Sequence, residues 1–95
     1  AVYQAIDRHL RHKYGTSIAE YEAMAAAQGG VCAICGKPEQ IKRRLSVDHD
    51  HRTGAIRALL CSGCNTAIGH FGDDPDTMRR AADYVERHGL RVANG

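Results

Sequence analysis

The chain lacks tryptophan and has one phenylalanine and four tyrosines among its 95 residues. Alanine supplies much of its hydrophobic count. A chain this short buries only about 60–70% of the surface that its unfolded form exposes. With few large apolar side chains, its core needs a staple. Apolar runs are short as well. None approaches the roughly 20 residues of a membrane-spanning helix. The N-terminus, Ala1 to Tyr14, has no uninterrupted apolar stretch of the kind a secretory leader carries. No internal repeat or low-complexity segment is visible. These absences leave one small domain that depends on something besides apolar burial.

Four cysteines can supply the staple. They form two C-x-x-C pairs, Cys32-Ala33-Ile34-Cys35 and Cys61-Ser62-Gly63-Cys64. Paired C-x-x-C turns at this separation read as a zinc site. Two disulfide bridges are the rival reading and would imply a secreted chain. Zinc favours a tetrahedron of thiolates about 2.3 Å from the ion. Two such turns would gather four sulfurs by closing one long loop. A four-cysteine site has no open coordination position, so this zinc is expected to be structural, and its removal to unfold the domain. Any catalysis must come from elsewhere.

The net charge is +2, and its distribution says more than its size. Residues 1–72 carry nine Lys/Arg against six Asp/Glu, and residues 73–95 carry four against five. Arg8, Arg11 and Lys13 form one basic cluster and Lys42, Arg43 and Arg44 another, with Arg52 and Arg57 close by in sequence. Such clusters suit a polyanion; they also suit ordinary solvated surface.

The pattern predicts a polar helix over 3–13, ended by Tyr14-Gly15. Ser17-Ile18-Ala19-Glu20 is a capping box, followed by a helix over about 18–28. Ile18, Tyr21, Met24 and Ala25 fall on one face of it, and Gly29-Gly30 ends it. Cys32 to Gly36 reads as a metal-binding knuckle and Pro38 to Arg44 as a polar loop. Leu45 to Asp48 alternates like a half-buried strand. Arg52-Thr53-Gly54 is a turn and Ala55 to Leu60 a return strand, giving an antiparallel hairpin. The second knuckle opens a helix over about 63–71, with Ala67, Ile68 and Phe71 expected inward. The loop Asp73-Asp74-Pro75-Asp76 should end in an N-cap. A last helix over about 77–88 carries Met78, Ala81, Ala82 and Val85 on one face, stops at Gly89 and leaves a frayed tail. The expected organisation is a single α+β domain over 1–95: helical scaffold to 30, metal-bound core over 31–72, then a C-terminal helix and tail.

Between the cysteine pairs lies Val47-Asp48-His49-Asp50-His51, and Asn65 follows Cys64. Alternate side chains of a strand share a face. His49 and His51 are therefore expected together, with Asp48 pointing away unless the strand bends or bulges. Phosphodiester hydrolysis needs a base that titrates near neutral pH, which suits histidine. It also needs a divalent cation, and hard Mg²⁺ takes oxygen ligands. Asp48 offers a carboxylate and Asn65 an amide oxygen. The cysteine staple would bring the two into one neighbourhood. A D-H-D-H run by itself is also common among exposed loops.

The pattern C-x-x-C followed by V-D-H-D-H-x-T-G-x-I-R-x-L-L-C-x-x-C-N resembles the recombination endonuclease VII family. That family belongs to the His-Me finger, or HNH-type, nucleases with a ββα-metal core. The likeness is close over 32–65 and looser over about 14–88. Tyr14-Gly15 and Tyr21-Glu22 also look like its phage and actinobacterial members. The resemblance implies that Cys32, Cys35, Cys61 and Cys64 bind structural zinc and that Asp48 and Asn65 hold a catalytic Mg²⁺ or Mn²⁺. It implies His49 as general base and His51 as a residue that contacts the scissile phosphate or steadies its transition state, with products bearing 5′-phosphate and 3′-hydroxyl ends.

Two departures stand out. Ala58 lies where many members have glycine. The junction-resolving member has a long C-terminal region and an intertwined dimer, whereas this chain stops after one further helix. Nicking or double-strand cleavage is therefore expected. His70, five residues past Asn65, is a weaker candidate. Lys42, Arg43, Arg44, Arg52 and Arg57 are the expected phosphate contacts, giving salt-sensitive, largely sequence-independent DNA binding. Arg8, Arg11 and His12 are candidates to extend that surface. The expected setting is the cytoplasm of a bacterial or phage-infected cell, with DNA as partner, no membrane, and a monomer or homodimer. The competing reading is a non-catalytic four-cysteine module that binds DNA or protein.

Overall fold

The computed structural model describes residues 2–40 and 44–94, the side chains of 2, 3 and 90–94 excepted. The elements follow in the order α1 (Val2–Tyr14), α2 (Ile18–Ala27), β1 (Ser46–His49), β2 (Ile56–Leu60), α3 (Ser62–His70) and α4 (Pro75–Asn94). They fall into two compact units, 1–65 and 66–95.

In the first unit, α1 ends where Gly15 takes a left-handed backbone (φ 70°) and donates its N–H to the Arg11 carbonyl. Glycine adopts that conformation without steric cost. Ser17 then caps α2, its hydroxyl accepting the Glu20 N–H at 3.1 Å. A cap from outside the local sequence adds to it: the Asp7 carboxylate, on α1, accepts the Ile18 N–H at 2.8 Å. Asp7 thereby joins the two helices, and that bond, with Arg11 beside it, holds its carboxyl below the usual range.

Ile18 and Tyr21 on α2 are buried with Leu10 of α1, Val47 of β1 and Leu59 of β2. Met24 and Ala25 pack against that cluster, so the predicted face of α2 is the core face. The two strands pair antiparallel with Val47 opposite Leu59. Leu59 is fully buried, and its removal to alanine would cost about 2–5 kcal/mol. The outer edge of β2 is covered by the end of α2. Gln28 accepts the Leu59 N–H at 2.9 Å and donates to the Leu59 and Val31 carbonyls at 2.9 and 2.8 Å. One amide thus does for Leu59 what a third strand would do.

The second unit departs from expectation at three points. Helix α3 buries no residue completely: Phe71, just past its end, is 39% exposed and Ala67 is also exposed. Its first turn, 62–65, falls in the first unit and carries Cys64 of the cysteine cluster, and in 66–95 no described residue is fully buried. Helix α4 begins at Pro75, with Asp74 as the cap, because Asp74 accepts the Asp76 N–H at 3.2 Å and the Thr77 hydroxyl at 2.6 Å. Proline suits the first helical position, where its missing N–H has no intrahelical partner to lose. Gly89 does not stop α4, which continues to Asn94. An interior glycine costs only about 1 kcal/mol, and Leu90, Arg91 and Ala93 after it favour helix. Among the described residues no helix is long and apolar enough to cross a membrane.

Candidate active site

The turn of the hairpin is built by Asp50. Its carboxylate accepts the N–H groups of Arg52 at 2.8 Å and Thr53 at 3.0 Å, and those bonds lower its pKa. Its own N–H donates to the Ala55 carbonyl, and Gly54 (φ 77°) donates back to the Asp50 carbonyl at 2.7 Å. Asp50 is thus committed to folding the tip.

Just before the tip the ladder slips. Asp48 pairs with Ala58 but His49 pairs with Ile56, so Arg57 is the extra residue of a bulge on β2. Bulges re-aim side chains. Here the result is a forked ion pair: Arg57 Nε donates to one Asp48 oxygen at 2.6 Å and Nη2 to the other at 3.1 Å. The Asp48 side chain is only 9% exposed, that of Arg57 35%.

Beyond the bulge the imidazoles of His49 and His51 lie 5.0 Å apart. His49 is half-buried and His51 exposed. The ring of Tyr14, from the last turn of α1, lies 6.0 Å from that of His49. Tyr14 meets His9 edge-on at 6.2 Å, and the Lys13 ammonium sits 5.4 Å from its ring centre. Beside Tyr14 opens a cavity of about 220 Å³ between α1, α2 and β1, lined in part by His9, Tyr21, Arg44 and Ser46. Arg44 lies over the Tyr21 ring at 5.1 Å.

The four cysteines converge. Their sulfurs all lie within 4.8 Å of one another and none is in a disulfide. A tetrahedron with bonds of about 2.3 Å has edges of about 3.8 Å, and the Cys35 and Cys61 sulfurs are 3.8 Å apart. Backbone N–H groups of Ile34 and Cys64 point at the sulfurs of Cys32 and Cys61, each at 3.4 Å. Burial raises the Cys32 thiol, but hydrogen bonds, led by the backbone of Cys35, Cys61 and Ile34, outweigh it and bring the pKa down to about 6. Burial and the three neighbouring thiols push Cys64 up to about 12. The cluster favours one negative charge and resists accumulating more, which is the condition a bound cation relieves. The cysteines are therefore positioned to bind a metal.

Helix α3 starts at this cluster. Glu39, from the loop after the first knuckle, accepts both the Ser62 N–H at 2.9 Å and its hydroxyl at 3.0 Å. A carboxylate there satisfies an otherwise unpaired amide and complements the helix dipole. The first turn so fixed carries Cys64 and Asn65, and the Asn65 N–H closes onto the Cys61 carbonyl at 2.9 Å.

The recombination endonuclease VII family pattern matches residues 7–87. The chain belongs to the recombination endonuclease VII family. It is 45% identical over 75 residues to the Gene 59 protein of Mycobacterium phage D29, which covers 78% of this chain and 46% of that one. The Gene 59 protein of Mycobacterium phage L5 is 44% identical over 73 residues, 76% of this chain and 44% of the relative. Among solved structures, the beta-beta-alpha-Me type II restriction endonuclease Hpy99I superposes with a TM-score of 0.56 at 31% identity. That alignment covers 74% of this chain and 39% of the restriction enzyme. The chain spans less than half the length of each of these proteins.

The endonuclease VII-like core of this chain is thus hairpin plus α3, a ββα unit, and its fold class implies a divalent metal. Asp48 and Asn65 are hard oxygen donors of the kind such a cation takes. The Asp48 carboxylate already holds a positive charge, that of Arg57. Among the expected phosphate contacts, Arg52 is exposed at the hairpin tip, Arg44 lies on Tyr21, and Arg57 is on Asp48. Lys42 and Arg43 lie outside the described residues. Arg11 is paired with Asp7 at 2.8 Å, Arg8 and His12 are exposed, and His70 is exposed on the last turn of α3.

Sequence reasoning missed Tyr14 as a neighbour of His49, Gln28 as the edge of β2, and Glu39 as the cap of α3. Each acts on residues more than 20 positions away, a distance local patterns do not reach. Tyr14 carried a usable signal, being part of the Tyr14-Gly15 likeness to family members.

Proposed function

We propose that the protein is a metal-dependent DNA endonuclease of the HNH type that hydrolyses phosphodiester bonds by nicking or double-strand cleavage. The observation that carries this reading is the end of the hairpin. Two imidazoles 5.0 Å apart lie one and three residues beyond a carboxylate that holds a cationic group. That hairpin leads directly into a helix start pinned by four cysteines.

In this reading His49 takes the proton from the attacking water. Its half-buried ring, flanked by Tyr14, is better fixed than that of exposed His51. His51 donates to the scissile phosphate. Asp48 and Asn65 are the protein ligands of one Mg²⁺ or Mn²⁺. When bound, the cation supplies positive charge to the phosphate and to the departing 3′-oxygen. Products carry 5′-phosphate and 3′-hydroxyl ends. Zinc is the ion of the four cysteines and is structural, because thiolates fill all its positions. Arg44 and Arg52, with Lys42 and Arg43, bind the duplex through phosphates and read little sequence.

The test is supercoiled-plasmid cleavage across divalent metals. His49→Ala should lose cleavage by a factor of about 10²–10⁴, the usual contribution of a general base, while folding and zinc content stay at parent values. A His49→Ala protein that cuts as fast as its parent removes His49 from the mechanism. Duplex binding without cleavage under every divalent metal would instead establish the non-catalytic zinc module.

A further inference from the structure

Asp48 and Arg57 make more contact than a surface ion pair. The carboxylate is nearly buried, and both of its oxygens are taken by one guanidinium, at 2.6 and 3.1 Å. The bulge is what permits this. In an unbroken ladder, residue 57 would project from the face opposite the Asp48–Ala58 pair. As the extra residue of the slip it turns toward Asp48.

The pair meets a conflict once Asp48 is read as a ligand of the catalytic cation, the reading on which this inference rests. A divalent ion on that carboxylate would sit within a few ångströms of the guanidinium. At a poorly solvated site such like charges repel strongly. Arginine does not relieve the repulsion by losing a proton, since it stays charged throughout the physiological range. It must move. Its side chain is 35% exposed, so solvent reaches it. A guanidinium released beside the scissile strand finds phosphate oxygens in the forked geometry it binds well.

We propose that Arg57 is the resident counter-ion of Asp48, displaced by the catalytic cation and passed to a substrate phosphate. Arg57 thus opposes cation binding in the free protein and supports substrate binding in the loaded one. Linkage then requires that DNA, by drawing Arg57 away, raises the affinity for the cation.

The experiment titrates Mn²⁺ alone into the zinc-loaded full chain by calorimetry and by the loss of free-ion electron-spin resonance. Arg57→Gln should bind Mn²⁺ at least about tenfold tighter than the parent. In a His49→Ala background with Mg²⁺, Arg57→Gln should also bind duplex DNA more weakly. Unchanged or weaker Mn²⁺ affinity in a folded Arg57→Gln protein overturns the proposal, because an arginine that merely orients Asp48 gives that result. Asp48→Asn tells the two readings apart: if it binds Mn²⁺ as the parent does, Asp48 is not a ligand and the underlying site assignment fails. The unaltered protein gives an independent readout. The Arg57 Nε–H nuclear resonance should shift on saturation with Mg²⁺, and a resonance that stays in place overturns the exchange.

Discussion

The two units of this chain hold themselves together by different means. Every fully buried residue described lies in 1–65, including Leu59 and Cys32, whereas in 66–95 none is fully buried and Tyr84 and Val85 are 60% and 61% exposed. The first unit closes long-range connections: an amide from α2 on β2, a carboxylate from a loop on α3, four thiols from two turns. The second relies on local devices, with Asp74 capping α4 and ion pairs one turn apart, Arg79–Asp76 and Arg87–Asp83. Exposed pairs of that kind contribute little. The candidate chemistry falls wholly in the first unit. A site that must hold side chains to a fraction of an ångström needs neighbours that do not yield.

Chelation should break this contrast most severely. Metal binding at structural four-ligand sites contributes about 10–16 kcal/mol in small zinc peptides, more than a core this small retains as net stability. Stripping the metal should abolish amide protection at Leu59, whose N–H donates to Gln28, read by hydrogen exchange. The pH dependence follows from the thiols. Cys64, raised to about 12 in the metal-free cluster, must give up its proton when the ion binds at neutral pH. Affinity for zinc should therefore rise with pH by about tenfold per unit from that proton alone. Cys32, lowered to about 6, is already a thiolate at neutral pH and adds a further proton to the competition only below that value. The loss of metal on acidification should accordingly steepen below about pH 6, as competition with a chromogenic chelator would show.

A matched pair of truncations sharpens the comparison next. Leu59→Ala should cost about 2–5 kcal/mol in denaturant unfolding, and Val85→Ala less than about 0.5 kcal/mol. Equal costs would mean that the second unit has a core after all. Gln28→Ala should fall between them. It leaves the Leu59 N–H without its partner, at about 1–3 kcal/mol, and its signature is faster exchange at Leu59 with α2 still formed. The smallest effect belongs to Thr16, whose buried hydroxyl has no hydrogen-bond partner among the described residues. Thr16→Val keeps the shape and removes that group, so it should stabilise by up to about 1 kcal/mol. A clear loss of stability would show that the hydroxyl has a partner in solution.

Much of this was legible locally. Ser17 and Glu20 marked the start of α2 and Gly29-Gly30 its end, because caps and left-handed turns depend on residues within one turn of each other. The cysteine spacing announced a four-sulfur cluster for a similar reason, each C-x-x-C turn presenting its two sulfurs together. The reading of α4 failed where local signals compete. Asp74 and Asp76 both suit a cap, and Gly89 ends a helix only when the residues after it do not favour continuing. Periodicity puts Ala67 and Phe71 on an inward face, but it says only that a face is apolar and not what lies opposite it.

The sequence alone determined which chemistry is available: soft thiolates in pairs, two imidazoles, one carboxylate and one amide oxygen at fixed spacing. Those properties belong to residue types and to short stretches of backbone. Tertiary structure alone decided who stands beside whom. It slipped the hairpin by one residue and so gave Asp48 to Arg57, set Tyr14 against His49, and brought Glu39 to Ser62. Such pairings are chosen by packing between segments far apart in the chain, where a one-residue shift turns a side chain to the other face.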